Sequence, residues 1–339
     1  MTVITIGELV VDWIATKKGI GWNQSETFLR SSGGNAANVA QALCRLGTNA
    51  RLVAKVGDDI HAGYLLEALT AAGVETKFVS QTSAYATAQC YVLTDATEEN
   101  QFFNWPKPNA CHQLTVDDLS QDLFDTAVAL HATGISLTVE PRSSAVIEAM
   151  SRGRDHGLLI SFDAGFPTGE GDKARKLAHQ AMALAHVIKV NLPELYFWLA
   201  DFDRLQGRAF ERQLSEDIET LTGYGQLLRQ RSGAEVILLT LGAGGSIIVS
   251  AEQSCFAAPI KVDSLAGVGA GDAYVAAVLN QIAGAQVSLS GSGEWRRRLD
   301  LNWPAIARFA NAAGALATRT ISASQGLPSL AEVEALVLK

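Results

Sequence analysis

The 339-residue chain has little cysteine and places it without pattern. Cys44, Cys90, Cys111 and Cys255 stand far apart, with no CxxC pair. In a chain of this length that argues against a disulfide frame or a cysteine zinc site and points to reduced thiols in the cytoplasm. The six histidines (His61, His112, His131, His156, His179 and His186) are scattered and show no metal-ligand spacing. No apolar run approaches the ~20 residues that span a bilayer. The opening MTVITIGELVVDW lacks a basic region before a long apolar one, so no secretory leader and no membrane partner is expected. Positive charge is also short. The net charge is −8, and the only basic run, Arg296-Arg297-Arg298, reads as a solvated turn, so no nucleic-acid partner is expected. The GxxxxGK[ST] phosphate loop is missing, and so is the protein-kinase motif set.

What is present is an apolar-rich chain, 48% hydrophobic and 18% charged. That balance suits a large buried core and argues against long disordered tails. Val3–Ile6 alternates β-branched residues up to Gly7 and predicts a first buried strand. Further strands are predicted at Leu52–Val56, Lys77–Val79, Val128–Ala132, Leu158–Asp163, Val187–Asn191 and Val236–Thr240, with a late hairpin at Ser246–Val249 and Ser254–Ala257. Helices are predicted at about 35–46, 62–72, 141–155, 173–185, 211–231, 270–283, 305–318 and 329–338, with a Ser- and Gly-rich loop at 285–304. Strands alternating with helices predict an α/β fold with a mostly parallel sheet covered on both faces. Two excursions, 12–34 and 84–107, interrupt that pattern with short apolar pieces. They predict a small β lid on a main body of 1–11, 35–83 and 108–339. The sequence has no internal repeat.

Gly267-Val268-Gly269-Ala270-Gly271-Asp272 runs straight into the helix-forming Ala273–Leu279. A helix start leaves backbone N–H groups unpaired at the positive end of its dipole, and small residues let an anion reach them. A carboxylate on the first turn can take the proton of an attacking hydroxyl. The dipole is expected to keep Asp272 ionised at neutral pH. The plainer reading is a glycine turn with Asp272 as a helix cap. Ser32-Gly33-Gly34-Asn35-Ala36-Ala37-Asn38 opens a second helix with small residues and amides that both donate to and accept from hydroxyls. Alone, it too reads as a turn and cap. Thr240-Leu241-Gly242-Ala243-Gly244-Gly245 follows a strand; its glycines either make the turn or let a nucleotide lie on the backbone. Asn191-Leu192-Pro193-Glu194 also follows a buried strand. Its Asn and Glu can reach a phosphate or a metal-bound water. They can equally cap a helix that has proline in its first turn.

These four elements, in this order, resemble the ribokinase-like (PfkB) carbohydrate kinases, and the resemblance covers essentially the whole chain. SGGNAANVAQALCRLG, followed by VGDD at 56–59, is similar to the family's first signature, and GVGAGDAYVAAVL at 267–279 to its second. The NxxE at 191–194 and the TxGxxG at 240–245 fall where the family has them. The resemblance implies a three-layer α/β/α sandwich with a small β lid over a sugar. It implies Asp12, Gly33, Gly34 and Asn38 on sugar hydroxyls, Gly269, Ala270 and Gly271 as an anion hole, and Asp272 as the catalytic base. It also implies Asn191 at the phosphates, Glu194 near Mg²⁺, Thr240, Gly242 and Gly245 along ATP, and Asn311 beside the adenine.

Gly7-Glu8 ahead of Asp12, together with Gly134-Ile135-Ser136-Leu137, is most similar to fructokinases and 2-keto-3-deoxygluconate kinases. Many relatives have FDPNxR where this chain reads Phe162-Asp163-Ala164-Gly165-Phe166-Pro167, and FYR where it reads Phe103-Asn104-Trp105. The missing arginines disfavour an acidic sugar and point to a neutral one, fructose first. Ribokinase, nucleoside or aminoimidazole riboside kinase, and 2-keto-3-deoxygluconate kinase are the alternatives on the same frame. A non-catalytic sugar- or nucleotide-binding protein is the alternative of another class. Asp263-Ser264 stands about three residues further from the glycines than the family's Asp-Thr pair, which leaves a monovalent-cation site open. Pairing of the lid across a homodimer is implied by analogy. Trp13, Trp22 and Trp105 fall in the lid segments and either wall the sugar or form the lid's own core.

Overall fold

The computed structural model describes residues 1–94, 100–167, 171–211, 216–286 and 301–338. The arginine run at 296–298 and most of the loop expected at 285–304 lie outside them. In chain order the strands are β1 (Thr2–Ile6), β2 (Val10–Ala15), β3 (Phe28–Gly33), β4 (Asn49–Gly57), β5 (Val79–Thr82), β6 (Gln89–Thr94) and β7 (Asn100–Trp105). They continue with β8 (Ala127–Thr133), β9 (Leu159–Asp163), β10 (Val187–Asn191), β11 (Val236–Thr240), β12 (Ser246–Val249) and β13 (Ser254–Ala257). The helices are α1 (Asn35–Arg45), α2 (Ile60–Ala71), α3 (Arg142–Asp155), α4 (Gly171–Leu184) and α5 (Leu192–Leu205). Then come α6 (Ile218–Ser232), α7 (Ala270–Gln286), α8 (Trp303–Ala317), α9 (Ala323–Gly326) and α10 (Leu330–Val337).

Nine strands form one sheet in the order β13-β12-β11-β10-β9-β8-β1-β4-β5. From β11 to β5 every pairing is parallel; only the β12 and β13 hairpin runs antiparallel. Such a sheet must be covered on both faces, and alternating side chains supply the two covers. Val3 joins a core with α1, α2, α7, α8 and α10, while Ile4 and Ile6 join a second core with α3, α4, α5 and α6. The result is a three-layer α/β/α sandwich.

The hairpin strands, β10 and β11 fall where the sequence puts them, because each is an apolar run bounded by turn residues. The strand expected at Lys77–Val79 instead runs Val79–Thr82. The helix expected at 211–231 begins only at Ile218, and α5 occupies a stretch for which no helix was predicted. Its start was present in the sequence as a cap, and its length is set by tertiary packing. Trp198 on α5 is fully buried and donates its indole N–H to the Gly165 carbonyl at 2.8 Å.

The second sheet has four strands, in the order β3-β2-β6-β7. Its β3 strand is tied to the end of the chain, with Ser31 Oγ 2.5 Å from Ser322 Oγ and 2.8 Å from Ser324 Oγ. β8, β9, β10 and β11 end at Thr133, Asp163, Asn191 and Thr240. Their carboxyl ends therefore carry a polar row, which is where open α/β sheets bind ligands.

Candidate active site

Asp272 is the third residue of α7 and is only 7% exposed. Its Oδ2 accepts from Asn38 Nδ2 of α1 at 2.8 Å, so the two glycine-rich helix starts meet at one carboxylate. The N–H groups of Gly271 and Asp272 have no acceptor among the described residues, which leaves an anion-ready helix start. The turn before it needs Gly269. Its φ is +81°, and a Cβ there would sit 2.7 Å from Ala323 Cβ.

Asp12 lies on β2, opposite Ser31 of β3 and Cys90 of β6. Its carboxylate lies over Gly33, where a Cβ would come within 1.9 Å of Oδ2. Gly33 is therefore glycine because Asp12 occupies its side-chain space. Gly34, at φ +98°, starts α1, and its carbonyl accepts from Asn38 N at 2.8 Å. Asn38 Oδ1 is buried and has no partner among the described residues, so the amide that binds Asp272 keeps one acceptor free.

The electrostatics differ from the sequence expectation for Asp272. Burial, not the dipole, dominates: it pushes the Asp272 pKa up to about 7, against the Asn38 hydrogen bond and the Lys189 charge, with Asp163 and Glu8 adding repulsion. Burial also raises Asp12 to about 7, with Asp272 as the second cause. The two carboxyl groups repel each other, so they titrate as a pair around neutrality. Glu8, which precedes Asp12, accepts from Ser136 Oγ at 2.7 Å and Thr133 Oγ1 at 3.3 Å.

The nucleotide-side candidates are arranged differently. Asn191 and Thr240 are paired in register at the ends of β10 and β11. Asn191 and Glu194 form a complete capping box. Asn191 Oδ1 accepts from Glu194 N at 2.9 Å, and Glu194 Oε2 accepts from Asn191 N at 2.7 Å. The helix-cap reading of this pair thus describes the ligand-free protein. Gly242 lies in the turn after β11 with open space around it, whereas a Cβ on Gly245 would sit 2.2 Å from the Ala257 carbonyl oxygen. Gly245 is thus required by packing of the turn. Asn311 on α8 donates its amide hydrogens to the carbonyls of Ala257 and Ala258, both at 3.0 Å. It holds the segment after β13 in place.

Most aromatic residues of the second sheet lie on the face away from Asp12; Phe102, opposite Val92 of β6, is on the Asp12 face. Trp13 follows Asp12 on β2, so it projects to the opposite face. There Trp13 stacks on Tyr91, and Trp22 packs against Tyr91, Phe28 and Phe103 at centroid distances of 5.3, 6.0 and 5.6 Å. Trp22 and Trp105 remain 48% and 65% exposed. Of the two readings of these tryptophans, packing among themselves holds for Trp13 and Trp22.

Sequence reasoning missed Lys189. It sits in the middle of β10, 7% exposed, with its ammonium 3.0 Å from Asp163 Oδ2 and 3.9 Å from Glu194 Oε2. A lysine inside the run Val-Ile-Lys-Val-Asn was the available signal, since buried lysines are rare unless paired. Three carboxylates, of Asp163, Glu194 and Asp272, act on this one ammonium. That excess of hard negative oxygen suits a divalent cation carried in with phosphates. Among the described residues no three His, Cys, Asp or Glu side chains are placed to ligate a metal directly.

Comparison with known proteins identifies the family. The family model for the pfkB family carbohydrate kinase matches residues 2–330. The chain is 30% identical to probable fructokinase-4 of Arabidopsis thaliana, covering 99% of this chain and 96% of that one. It is 30% identical to fructokinase-1 of Zea mays, covering 99% and 98%. Among solved structures it is similar to the ATP-bound fructokinase of Xylella fastidiosa, with a TM-score of 0.83, 25% identity and coverage of 99% and 98%. The match extends over almost the full length of each chain, and by it this protein belongs to the pfkB family of carbohydrate kinases.

Proposed function

We propose that this carbohydrate kinase transfers the γ-phosphoryl group of ATP to a hydroxyl of a neutral sugar, fructose first. The observation that carries the reading is the meeting of Asp272, Asn38 and Asp12 beside an open helix start. Among the described residues the Asp272 carboxyl group has no charged partner in contact, the Asn38 amide keeps a free acceptor, and the N–H groups of Gly271 and Asp272 are unpaired. In this reading Asp12, Gly33, Gly34 and Asn38 hold the sugar. Asp272 takes the proton of the attacking hydroxyl as the oxygen bonds to phosphorus. The backbone at Gly269, Ala270 and Gly271 receives the negative charge that spreads over the transferring group. Asn191, Thr240 and Gly242 line the nucleotide path, and Gly245 and Asn311 shape its wall. Mg²⁺, when bound, neutralises charge on the phosphate oxygens, and Glu194 orders its water. The second sheet acts as a lid that excludes water as a competing acceptor.

The likeness to fructokinases over full length supports the fructose reading. The buried Arg142 supports neutrality, because its guanidinium is engaged with the Ser136 and Ile135 carbonyls and with Glu8 at 3.5 Å and is not free for a substrate carboxylate. The exposed aromatic face of the lid supports pairing with a second copy there. The four free cysteines suit a reducing cytoplasm, and no helix among the described residues is long and apolar enough to cross a membrane.

The test is ADP formation across fructose, ribose, glucose, adenosine, aminoimidazole riboside, 2-keto-3-deoxygluconate and fructose 6-phosphate, with and without K⁺. Neutral sugars are expected to exceed acidic or phosphorylated ones by at least ~10-fold in kcat/KM, which corresponds to about 1.4 kcal/mol. A preference for the sugar acid or sugar phosphate would overturn the neutral-sugar reading and turn attention to Lys107, whose charge reaches Cys90 beside Asp12. Sugar binding with no ADP from any acceptor would favour a non-catalytic binder.

A further inference from the structure

Lys189 is charged on an otherwise apolar stretch of β10; the buried imidazole of His131 on β8 also feels Lys189 and Asp163, and burial lowers its pKa to about 4 and keeps it neutral. Val187, Ile188 and Val190 on the same strand are fully buried. An isolated ammonium at such a place costs several kcal/mol, and replacing a buried ion pair by packed apolar side chains is often neutral or stabilising. The pair with Asp163 is therefore a poor way to stabilise this fold. It is well placed for something else. Lys189 and Asp163 are in register across β10 and β9, at the carboxyl end of the sheet. The ammonium also lies against the glycine turn: a Cβ on Gly271 would be 3.4 Å from Nζ.

We propose that Lys189, clamped by Asp163, is a positioning residue for phosphoryl transfer, holding a fixed positive charge behind the Gly269–Asp272 turn. The proposal rests on the kinase reading of the site, with Asp272 as base. Burial opposes the charge on Lys189, but the attraction of Asp163, Glu194 and Asp272 outweighs it and keeps the group protonated beyond the usual lysine range. The groups that face Asp272 are Asn38 from α1, Asp12 from β2, Glu8 from the segment between β1 and β2, Asp163 from β9 and Lys189 from β10. Lys189 is the cation in that set. It offsets the repulsion that would keep Asp272 protonated. It also adds positive potential behind the backbone N–H groups that meet the transferring group.

The two members of the clamp act on Asp272 with opposite sign, and a mere brace would not. The experiment compares the full-length wild type with Lys189→Met, Lys189→Arg and Asp163→Asn. It reads kcat, ligand Kd, the pH profile of kcat/KM, and the titration of Asp272 by carbon-13 NMR of labelled carboxyl groups. Lys189→Met is expected to lower kcat by ~10²-fold or more with ATP binding changed little. It is expected to move the acid limb, and the Asp272 titration, up by roughly one pH unit. Asp163→Asn should move both down, and Lys189→Arg should restore part of the rate. If both single variants lose activity with the limb and the titration unmoved, the pair is a brace and the proposal is wrong. If Lys189→Met does not fold, Asp163→Asn decides the matter by the direction of its shift. Opposite NMR shifts in a protein that phosphorylates no sugar would uphold the electrostatic link and overturn the kinase reading. Normal turnover in Lys189→Met with unshifted titration would do the reverse.

Discussion

The proposed sugar and nucleotide ends of the site are built on opposite plans. At the sugar end, polar groups are left wanting. Asn38 Oδ1 has no partner, Asp12 is crowded over Gly33, and Asp12 and Asp272 are both raised to about 7. At the nucleotide end, the candidates are largely satisfied by the protein itself. Asn191 and Glu194 cap each other, Asn311 holds two carbonyls, and Gly245 is fixed by the Ala257 carbonyl. Buried polar groups are normally paired, so groups held without partners mark the place where a ligand supplies them. On the proposed reading the chemistry belongs to the unsatisfied end, and the satisfied end mainly shapes a surface.

Breaking the unsatisfied end should cost the most. Asp272→Asn keeps the shape and the contact with Asn38 but removes the proton acceptor. It is expected to lower kcat about 10²–10⁴-fold with sugar and ATP Kd little changed. Turnover within a few-fold of wild type would assign Asp272 to helix capping. Gly33→Ala comes next. The new methyl group overlaps Asp12, so sugar KM should rise ~10–100-fold, the value of a lost hydrogen bond to a charged group, while ATP KM stays near normal. Equal changes in both constants would mean general damage to the fold.

At the satisfied end the effects should be smaller. Glu194→Gln keeps the backbone part of the capping box, since its one oxygen can still accept from Asn191 N, but it loses the bond from Asn191 Nδ2. Its lost charge should raise the Mg²⁺ needed for half-maximal rate by roughly 10-fold, with melting temperature lowered by no more than a few degrees. Superimposable Mg²⁺ curves would leave Glu194 as a helix cap alone.

How far the sequence carried the reading follows the same divide. The layers were legible because alternating apolar runs and turn residues determine them locally. The glycine-rich starts of α1 and α7 were legible as a pattern, and Asp12 and Asn38 only through the resemblance. Three things were not. The extent of α5 depends on Trp198 reaching across to Gly165, a contact distant in sequence. The side of the second sheet that Trp13 and Trp22 occupy depends on strand register, which no local motif states. The raised pKa of Asp272 was not legible, because burial, its largest cause, comes from tertiary packing and not from the helix start. Lys189 was visible as an anomaly, but its partner Asp163 lies 26 residues away.

The central claim is that the sugar end is held at the expense of stability, and the pH dependence of melting tests it most directly. The pKa of Asp272 is raised from 3.8 to about 7, so its share of stability is full below the lower value and lost as pH rises through the upper one. Thermal melting of wild type and Asp272→Asn, without ligands, should be followed from pH 5 to pH 8. The variant is expected to melt higher than wild type at pH 8, by about 2 °C or more, and the gap to narrow as pH falls to 5. A variant that melts at or below wild type at pH 8 would contradict the claim.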